Sequence, residues 1–323
     1  MRAITQESYG SADVLHLGNV AVPEPKANEV LVQVGAAGVD RGVWHMMTGL
    51  PYLGRLAFGL RKPRNPVPGM DLAGTVSAVG SAVTRFALGD QVYGSGRSTY
   101  AEYAVAPEAR LALKPAGLSF AQAAAVPVSA VTALQGLGKT GRVQAGQKVL
   151  VIGASGGVGS YAVRLAKAFG AEVTGVCSTG KMDFVRSLGA DEVIDYTAED
   201  FADGTRHWDL ILDIAGNPSI ARLRSALTPK GTAVITGGEA GGRLTGGMNR
   251  QLGAVALSPF VPQRLTMFIG AVRSAELEDL TGLIEAGSIT PPLERTFPLD
   301  QAREALDWLA SGKVRGKVAL TVG

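Results

Sequence analysis

The chain has 323 residues, a formal net charge of +3 and one cysteine, Cys177. That length exceeds one ordinary core and fits two domains. A single cysteine excludes an intrachain disulfide and a cysteine-built zinc lobe, and without a Lys/Arg block no nucleic-acid face is expected.

Residues 1–6 lack the apolar core of a secretion signal, and the apolar stretch 252–272 is broken by Pro259, Pro262 and Arg264. No membrane span and a cytoplasmic location are expected. Up to about Phe120 the pattern reads as β-rich. Short strand candidates at 31–34, 74–79, 89–93 and 101–105 are separated by Gly and Pro turns. Residues 120–137 carry a helical pattern in which Pro127 predicts a kink or a split.

Beyond that point helices and strands alternate. Strands are expected at Val149, Val173, 193–194, 210–212 and 233–235, with helices at 160–169, 181–188 and 220–227. Such alternation implies an α/β fold with a parallel, doubly wound sheet. From about Ala275 to the end, two helical patterns lead to a closing strand at 317–322.

The densest signal is the turn Gly153-Ala154-Ser155-Gly156-Gly157-Val158-Gly159, which follows the apolar run 148–152 and opens a helix. Strand, tight turn and helix hold a pyrophosphate, because unpaired N–H groups and the helix dipole both favour an anion there. An acid gripping the ribose hydroxyls of NAD stands about 20 residues past the first glycine. At that point the chain reads Cys177-Ser178-Thr179-Gly180-Lys181, with no carboxylate. Hydroxyls and a cation suit a 2′-phosphate, which a carboxylate would repel, so NADPH is favoured over NADH.

Several segments resemble one family. Pro68-Gly69-Met70-Asp71-Leu72-Ala73-Gly74 resembles the Pro-Gly-His-Glu-x-x-Gly motif of medium-chain dehydrogenases/reductases. Residues 125–133 resemble the helix preceding their nucleotide domain. The 153–159 turn, the run 187–196 and Arg315-Gly316-Lys317-Val318 resemble the zinc-free, quinone oxidoreductase-like branch. The resemblance covers nearly the whole chain in order. It implies a discontinuous GroES-like β-rich catalytic domain, residues 1–122 and 276–323, around a Rossmann NADPH-binding domain, 123–275, with the active site in the cleft.

The same resemblance implies roles for individual residues. Ser155, Gly156, Gly157 and Val158 would line the pyrophosphate. Ser178 and Lys181 would meet the 2′-phosphate, with Tyr196 beside the adenosine end. Thr132 would lie near the nicotinamide, Gly237 and Gly238 under its ribose, and Lys317 would reach the cofactor from the other domain. Asp213 matches an acid after the fourth strand, with helix capping as the alternative.

Three positions in zinc alcohol dehydrogenases hold the catalytic metal. They correspond here to Asp40, Met70 and Val128. A thioether is a poor zinc ligand and valine none, and His16, His45 and His207 stand in no ligand spacing, so no metal is expected. Without a Lewis acid, reduction of a conjugated acceptor asks least of the protein. A quinone or α,β-unsaturated carbonyl takes a hydride while a hydrogen-bond donor steadies its oxygen. His45 and Tyr52 are the nearest donors in sequence. Asp40, either ionised or kept protonated by burial, replaces the usual Asn of zinc-free relatives, and Val43 an Asp. Alternatives are an enoyl-thioester reductase, a zinc-free alcohol dehydrogenase-like enzyme and an NADPH-binding protein without turnover. The partner expected is a small-molecule acceptor. The apolar run 264–270 reads as an edge strand suited to a homodimer.

Overall fold

The chain starts with a small antiparallel pair, β1 (Arg2–Thr5) and β2 (His16–Asn19), and then enters the long strand β3 (Glu29–Val39). The computed structural model describes residues 1–238 and 241–323. It divides into two units, Met1–Val131 with Ala271–Gly323, and Thr132–Gly270.

β3 is longer than its sequence pattern suggests. The pattern marks 31–34, because Gly35-Ala36-Ala37-Gly38 lacks bulky β-formers. The strand nevertheless runs on to Val39, buried at most positions. Small residues are needed there because a short helix packs directly on the strand. A Cβ on Gly38 would stand 2.4 Å from the Ala124 carbonyl. After β3 come α1 (Arg41–Thr48), the single turn α2 (Arg55–Phe58), β4 (Asp71–Val79), β5 (Gln91–Ser95), β6 (Tyr103–Pro107) and β7 (Leu111–Leu113). Two helices follow, α3 (Phe120–Ala124) and α4 (Pro127–Gln135). Ser119 and Gln122 form a capping box on α3. Pro127 splits the helical pattern by standing first in α4, where its missing N–H costs nothing.

The second unit contains β8 (Lys148–Ile152), α5 (Gly157–Ala168), β9 (Glu172–Cys177), α6 (Met182–Ser187), β10 (Glu192–Asp195), β11 (Trp208–Asp213), α7 (Ile220–Ser225), β12 (Leu227–Ile235), α8 (Met248–Leu257) and β13 (Arg264–Met267). All six strands are parallel, in the order β10-β9-β8-β11-β12-β13. Counted from β8 this is the 3-2-1-4-5-6 order of doubly wound dinucleotide folds, and it reverses direction beside β8. The expected edge strand is β13, which pairs with β12.

The chain then returns to the first unit through α9 (Ser274–Glu285), β14 (Leu293–Pro298), α10 (Ala302–Ala310) and β15 (Lys317–Thr321). β15 lies between β14 and β3, with Val318 opposite Val39, and completes the sheet order β14-β15-β3-β4-β5-β7, with β6 also on β3. β14 escaped the sequence pattern because its residues are mostly exposed and carry no apolar alternation. The first core joins both chain segments. Val32, Val39, Leu72 and Leu111 pack in one cluster with Leu306, Val318 and Leu320, all buried. Each such side chain contributes about 2 kcal/mol relative to exposure. Among the described residues no helix is long and apolar enough to cross a membrane.

Candidate active site

In the second unit, β8 delivers the chain to the glycine turn, and Gly156 caps α5. The Ser160 N–H donates to the Gly156 carbonyl at 2.9 Å, which starts the helix. The first N–H groups of α5 have no carbonyl within the helix to bond and face its N-terminal end. Ser155 is buried, whereas Gly156, Gly157 and Val158 are half-buried. A Cβ on Gly159 would stand 2.0 Å from the Gly153 carbonyl, so only glycine lets the helix sit over its own turn.

Beside the turn, β9 ends at buried Cys177, opposite Asp195 of β10. Burial, with Asp195 adding to it, pushes the Cys177 thiol up to about 11. Ser178 then opens a tight turn, closed by the Lys181 N–H to the Ser178 carbonyl at 2.9 Å. Tyr196 bonds back to the Cys177 carbonyl through its N–H at 3.1 Å, and the residue is 62% exposed. Ser178, Lys181 and Tyr196 are thus gathered at the carboxyl ends of β9 and β10. The acid at this edge is turned inward. Asp195 accepts the hydroxyl of Thr179 on Oδ2, and on Oδ1 the hydroxyl and N–H of Thr197 at 2.7 and 3.0 Å. Those bonds, the Thr179 hydroxyl first, hold its carboxyl below the usual range.

Gly237 and Gly238 follow β12, and Thr132 of α4 lies against Gly270. Asp213 ends β11 and does not cap a helix. The cap of α7 is Ser219, whose side chain accepts the Arg222 N–H, and Asp213 pairs instead with Arg250 of α8 at 2.6 Å. Burial raises the Asp213 carboxyl, and Arg250 pulls it back down. Sequence reasoning missed Arg250. Its one signal is a cation in the first turn of a helix, where the dipole disfavours it.

The first unit gathers a different set. Asp40 caps α1, its Oδ1 accepting the Val43 N–H at 3.1 Å, while Oδ2 is buried without a hydrogen bond. Asp71 opens β4, is fully buried, and has both oxygens 3.2 Å from the Val128 nitrogen. Lys317 opens β15 at 2% exposure, and its Nζ makes no hydrogen bond. Burial, then the charge of Asp40, pushes the Asp71 carboxyl well above its usual range, and Lys317 and the Val128 N–H act against this. Tyr100 donates to the Gly38 carbonyl at 3.3 Å, and its hydroxyl is raised by burial and by both acids. Two acids and one ammonium therefore share one interior region. It comes nearest neutrality when Asp71 keeps its proton. The sequence-level clue to Asp71 was a carboxylate opening an otherwise apolar strand.

His45 and Tyr52 are held by other contacts. His45 Nδ1 lies 2.7 Å from the Leu50 carbonyl, so Nδ1 carries the proton. In the neutral ring Nε2 is then an acceptor. Tyr52 is 44% exposed, its ring stacked on the Arg55 guanidinium at 4.8 Å. Arg55 also stacks on Tyr9 and donates to the Gly49 carbonyl at 2.9 Å, which pins the segment around Tyr52. Asp40, His45, Tyr52 and Lys317 belong to the first unit, while Thr132 and the remaining predicted cofactor residues belong to the second.

Of the three zinc-ligand positions, Asp40 and Met70 come together around Gly42, and Val128 lies against Asp71, the neighbour of Met70. A Cβ on Gly42 would stand 2.9 Å from Asp40 Oδ1 and 3.6 Å from Met70 Sδ, and Val128 bonds Asp71 through its backbone. They offer one carboxylate already capping a helix, a thioether and an alkyl group, which is no tetrahedral N/S/O donor set. Among the described residues no three His, Cys, Asp or Glu side chains group as metal ligands.

A GroES-like sheet combined with a 3-2-1-4-5-6 parallel sheet defines a medium-chain dehydrogenase/reductase architecture. Residues 26–116 match the alcohol dehydrogenase GroES-like domain and residues 188–320 the zinc-binding dehydrogenase family. The chain is 35% identical to the 2-methylene-furan-3-one reductase of Solanum lycopersicum, over 99% of this chain and 79% of the relative. It is 34% identical to the chloroplastic NADPH-dependent alkenal/one oxidoreductase of Arabidopsis thaliana, with the same coverage of 99% and 79%. The crystal structure of Escherichia coli quinone oxidoreductase complexed with NADPH superposes with a TM-score of 0.84 at 26% identity, covering 99% of this chain and 100% of that one. The protein belongs to the medium-chain dehydrogenase/reductase family, in its quinone oxidoreductase-like branch, and is an oxidoreductase.

Proposed function

We propose that the protein is an NADPH-dependent, zinc-independent reductase that delivers a hydride to a quinone or an α,β-unsaturated carbonyl. The observation that carries this reading is the edge formed by β9 and β10. Ser178, Lys181 and Tyr196 gather there, and the acid beside them, Asp195, is held by two threonine hydroxyls. A 2′-phosphate meets a hydroxyl and a cation at that edge, with an aromatic ring for the adenosine. The named activities of the relatives, on alkenals, furanones and quinones, point to conjugated acceptors.

NADPH, when bound, supplies the hydride. The protein's part is to hold and to orient. The N-terminus of α5, with Ser155, Gly156, Gly157 and Val158, takes the pyrophosphate charge. Gly237 and Gly238 leave room for the nicotinamide ribose, and Thr132 stands near the ring. Tyr52 donates a hydrogen bond to the acceptor oxygen as negative charge grows there. Asp40 fixes the start of α1, and His45 ties the end of α1 to Leu50, so both position the segment that carries Tyr52. A thioether and an alkyl group in the ligand slots support metal-free chemistry. The open edge of β13 suits a homodimer in which a second copy extends the sheet.

The test is NADPH consumption with a quinone, an enone, an enoyl-thioester and an aldehyde, each with and without a strong chelator. Turnover should favour quinone or enone, ignore the chelator and fall about 100-fold in Tyr52→Phe, the lower end of general-acid effects. Chelator-sensitive turnover would overturn zinc independence. Tight NADPH binding with no acceptor reduced would leave a binding protein instead.

A further inference from the structure

Behind the loops that follow β11 and β12 lies a buried charge with an unusual set of partners. Arg250 is the third residue of α8, and its side chain is 10% exposed. Its Nη1 donates to Asp213 Oδ2 at 2.6 Å and to the Pro218 carbonyl at 3.1 Å. Its Nη2 donates to the Gly237 carbonyl at 2.9 Å. The two carbonyls belong to different loops, 214–218 after β11 and 236–238 after β12.

These loops already touch. The Thr236 N–H donates to the Asp213 carbonyl at 2.9 Å, and a Cβ on Gly237 would stand 1.8 Å from the Ile214 carbonyl. Ile214 in turn donates to the Ile152 carbonyl at 3.1 Å, which ties the pair to the strand that feeds the glycine turn. All of this lies at the carboxyl ends of the central strands, where open α/β sheets bind their ligands. A planar guanidinium spreads its donors over separate nitrogens in fixed directions and so spans two loops, whereas an ammonium offers its three donors from one point. A buried guanidinium also needs a counter-charge, which fully buried Asp213 supplies. The helix dipole disfavours an arginine in the first turn of α8, so its position there answers to the loops.

We propose that Arg250, neutralised by Asp213, is a positioning residue for the nicotinamide half of the cofactor. It clamps the 236–238 backbone onto the 214–218 loop, so that this half of the cradle is preformed before NADPH arrives. The proposal rests on the reading that Gly237 and Gly238 underlie the nicotinamide ribose. Loss of the clamp moves the cost of ordering these loops into the binding step.

The experiment compares wild type, Arg250→Met and Arg250→Lys by amide hydrogen exchange without ligand, and by calorimetric titration with NADPH and with adenosine 2′,5′-bisphosphate. The bisphosphate probes the adenosine half, the β9–β10 edge and the glycine turn, without the nicotinamide half. In Arg250→Met, exchange should quicken in 214–218 and 236–238. NADPH should bind about tenfold more weakly and the bisphosphate within about twofold of wild type, since preorganisation acts on the nicotinamide half only. Arg250→Lys, which keeps the charge pair and loses the fork, should fall between and covers the case of a poorly folding Met variant. Unchanged NADPH affinity with unchanged exchange, or equal loss of both ligands, would overturn the proposal. Should wild type itself bind no NADPH, the functional reading fails. The exchange pattern of the ligand-free variants then still decides whether Arg250 clamps the loops.

Discussion

The glycine turn of the second unit and the charge cluster of the first are built by opposite means. Residues 153–159 are consecutive, and their geometry follows from strand, glycines and helix start read in one line. Asp40, Asp71 and Lys317 each stand at the end of a different element and meet once β3, β4 and β15 are paired. The turn bonds the N–H groups of Gly153, Ala154 and Gly156 internally and leaves the N–H groups that open α5 to face a charge from outside. The cluster buries its charges and balances them internally. Damage to the turn should therefore strike ligand binding first, and damage to the cluster should strike the fold first.

The largest effect is expected at the turn. Gly159→Ala places a methyl group on the Gly153 carbonyl, 2.0 Å away, and neither backbone can yield. NADPH affinity in a calorimetric titration should drop at least about 100-fold, with about 2 kcal/mol lost in urea unfolding. If the loss of stability appears without the loss of affinity, the turn is not the cofactor cradle.

Lys317→Met sharpens the comparison from the other side. It removes the one cation acting on Asp71 and leaves two buried acids, so urea unfolding at neutral pH should lose about 3 kcal/mol. NADPH affinity should change less than threefold if Lys317 serves the cluster. A tenfold loss of affinity at near-wild-type stability would instead assign Lys317 to the cofactor, as the sequence resemblance implies. The pH dependence has a definite sign. The folded-state carboxyl of Asp71 is raised, so its favourable contribution is complete below the ordinary aspartate value of 3.8 and is lost as pH climbs through the raised value. Wild-type stability should therefore decline across that range, and the decline should extend to higher pH in Lys317→Met. Asp71→Asn should flatten the decline.

The smallest effect is one of preference. Lys181→Ala should weaken NADPH about fivefold and leave NADH unchanged, as for one partly solvated cation facing a phosphate. Equal losses for both cofactors would move Lys181 away from the 2′-phosphate.

Much of this protein could be read from its residues, and the failures share a physical reason. The β8–turn–α5 unit and the alternation behind the parallel sheet depend on local pattern, which sequence displays directly. Pro127 signalled an interruption correctly, and the choice between kink and split depended on whether it could stand first in a new helix. β3 was underestimated because its small residues answer to α3 packed across them and not to strand propensity. Asp213 looked like a possible cap because its partner lies 37 residues further on, in α8. Asp71 and Tyr100 were invisible as electrostatic partners of Asp40, since only sheet pairing brings them together.

The position of β15 between β14 and β3 has a consequence for the order of synthesis. On a ribosome the second unit, one continuous segment, can finish its sheet while the first still lacks two strands. During that interval residues 36–39 of β3 lack their partner strand β15, and Asp40 and Asp71 have no ammonium beside them. The middle of the chain is thus mature before its beginning. A chain released just before residue 293 should present a folded second unit tethered to a half-built sheet.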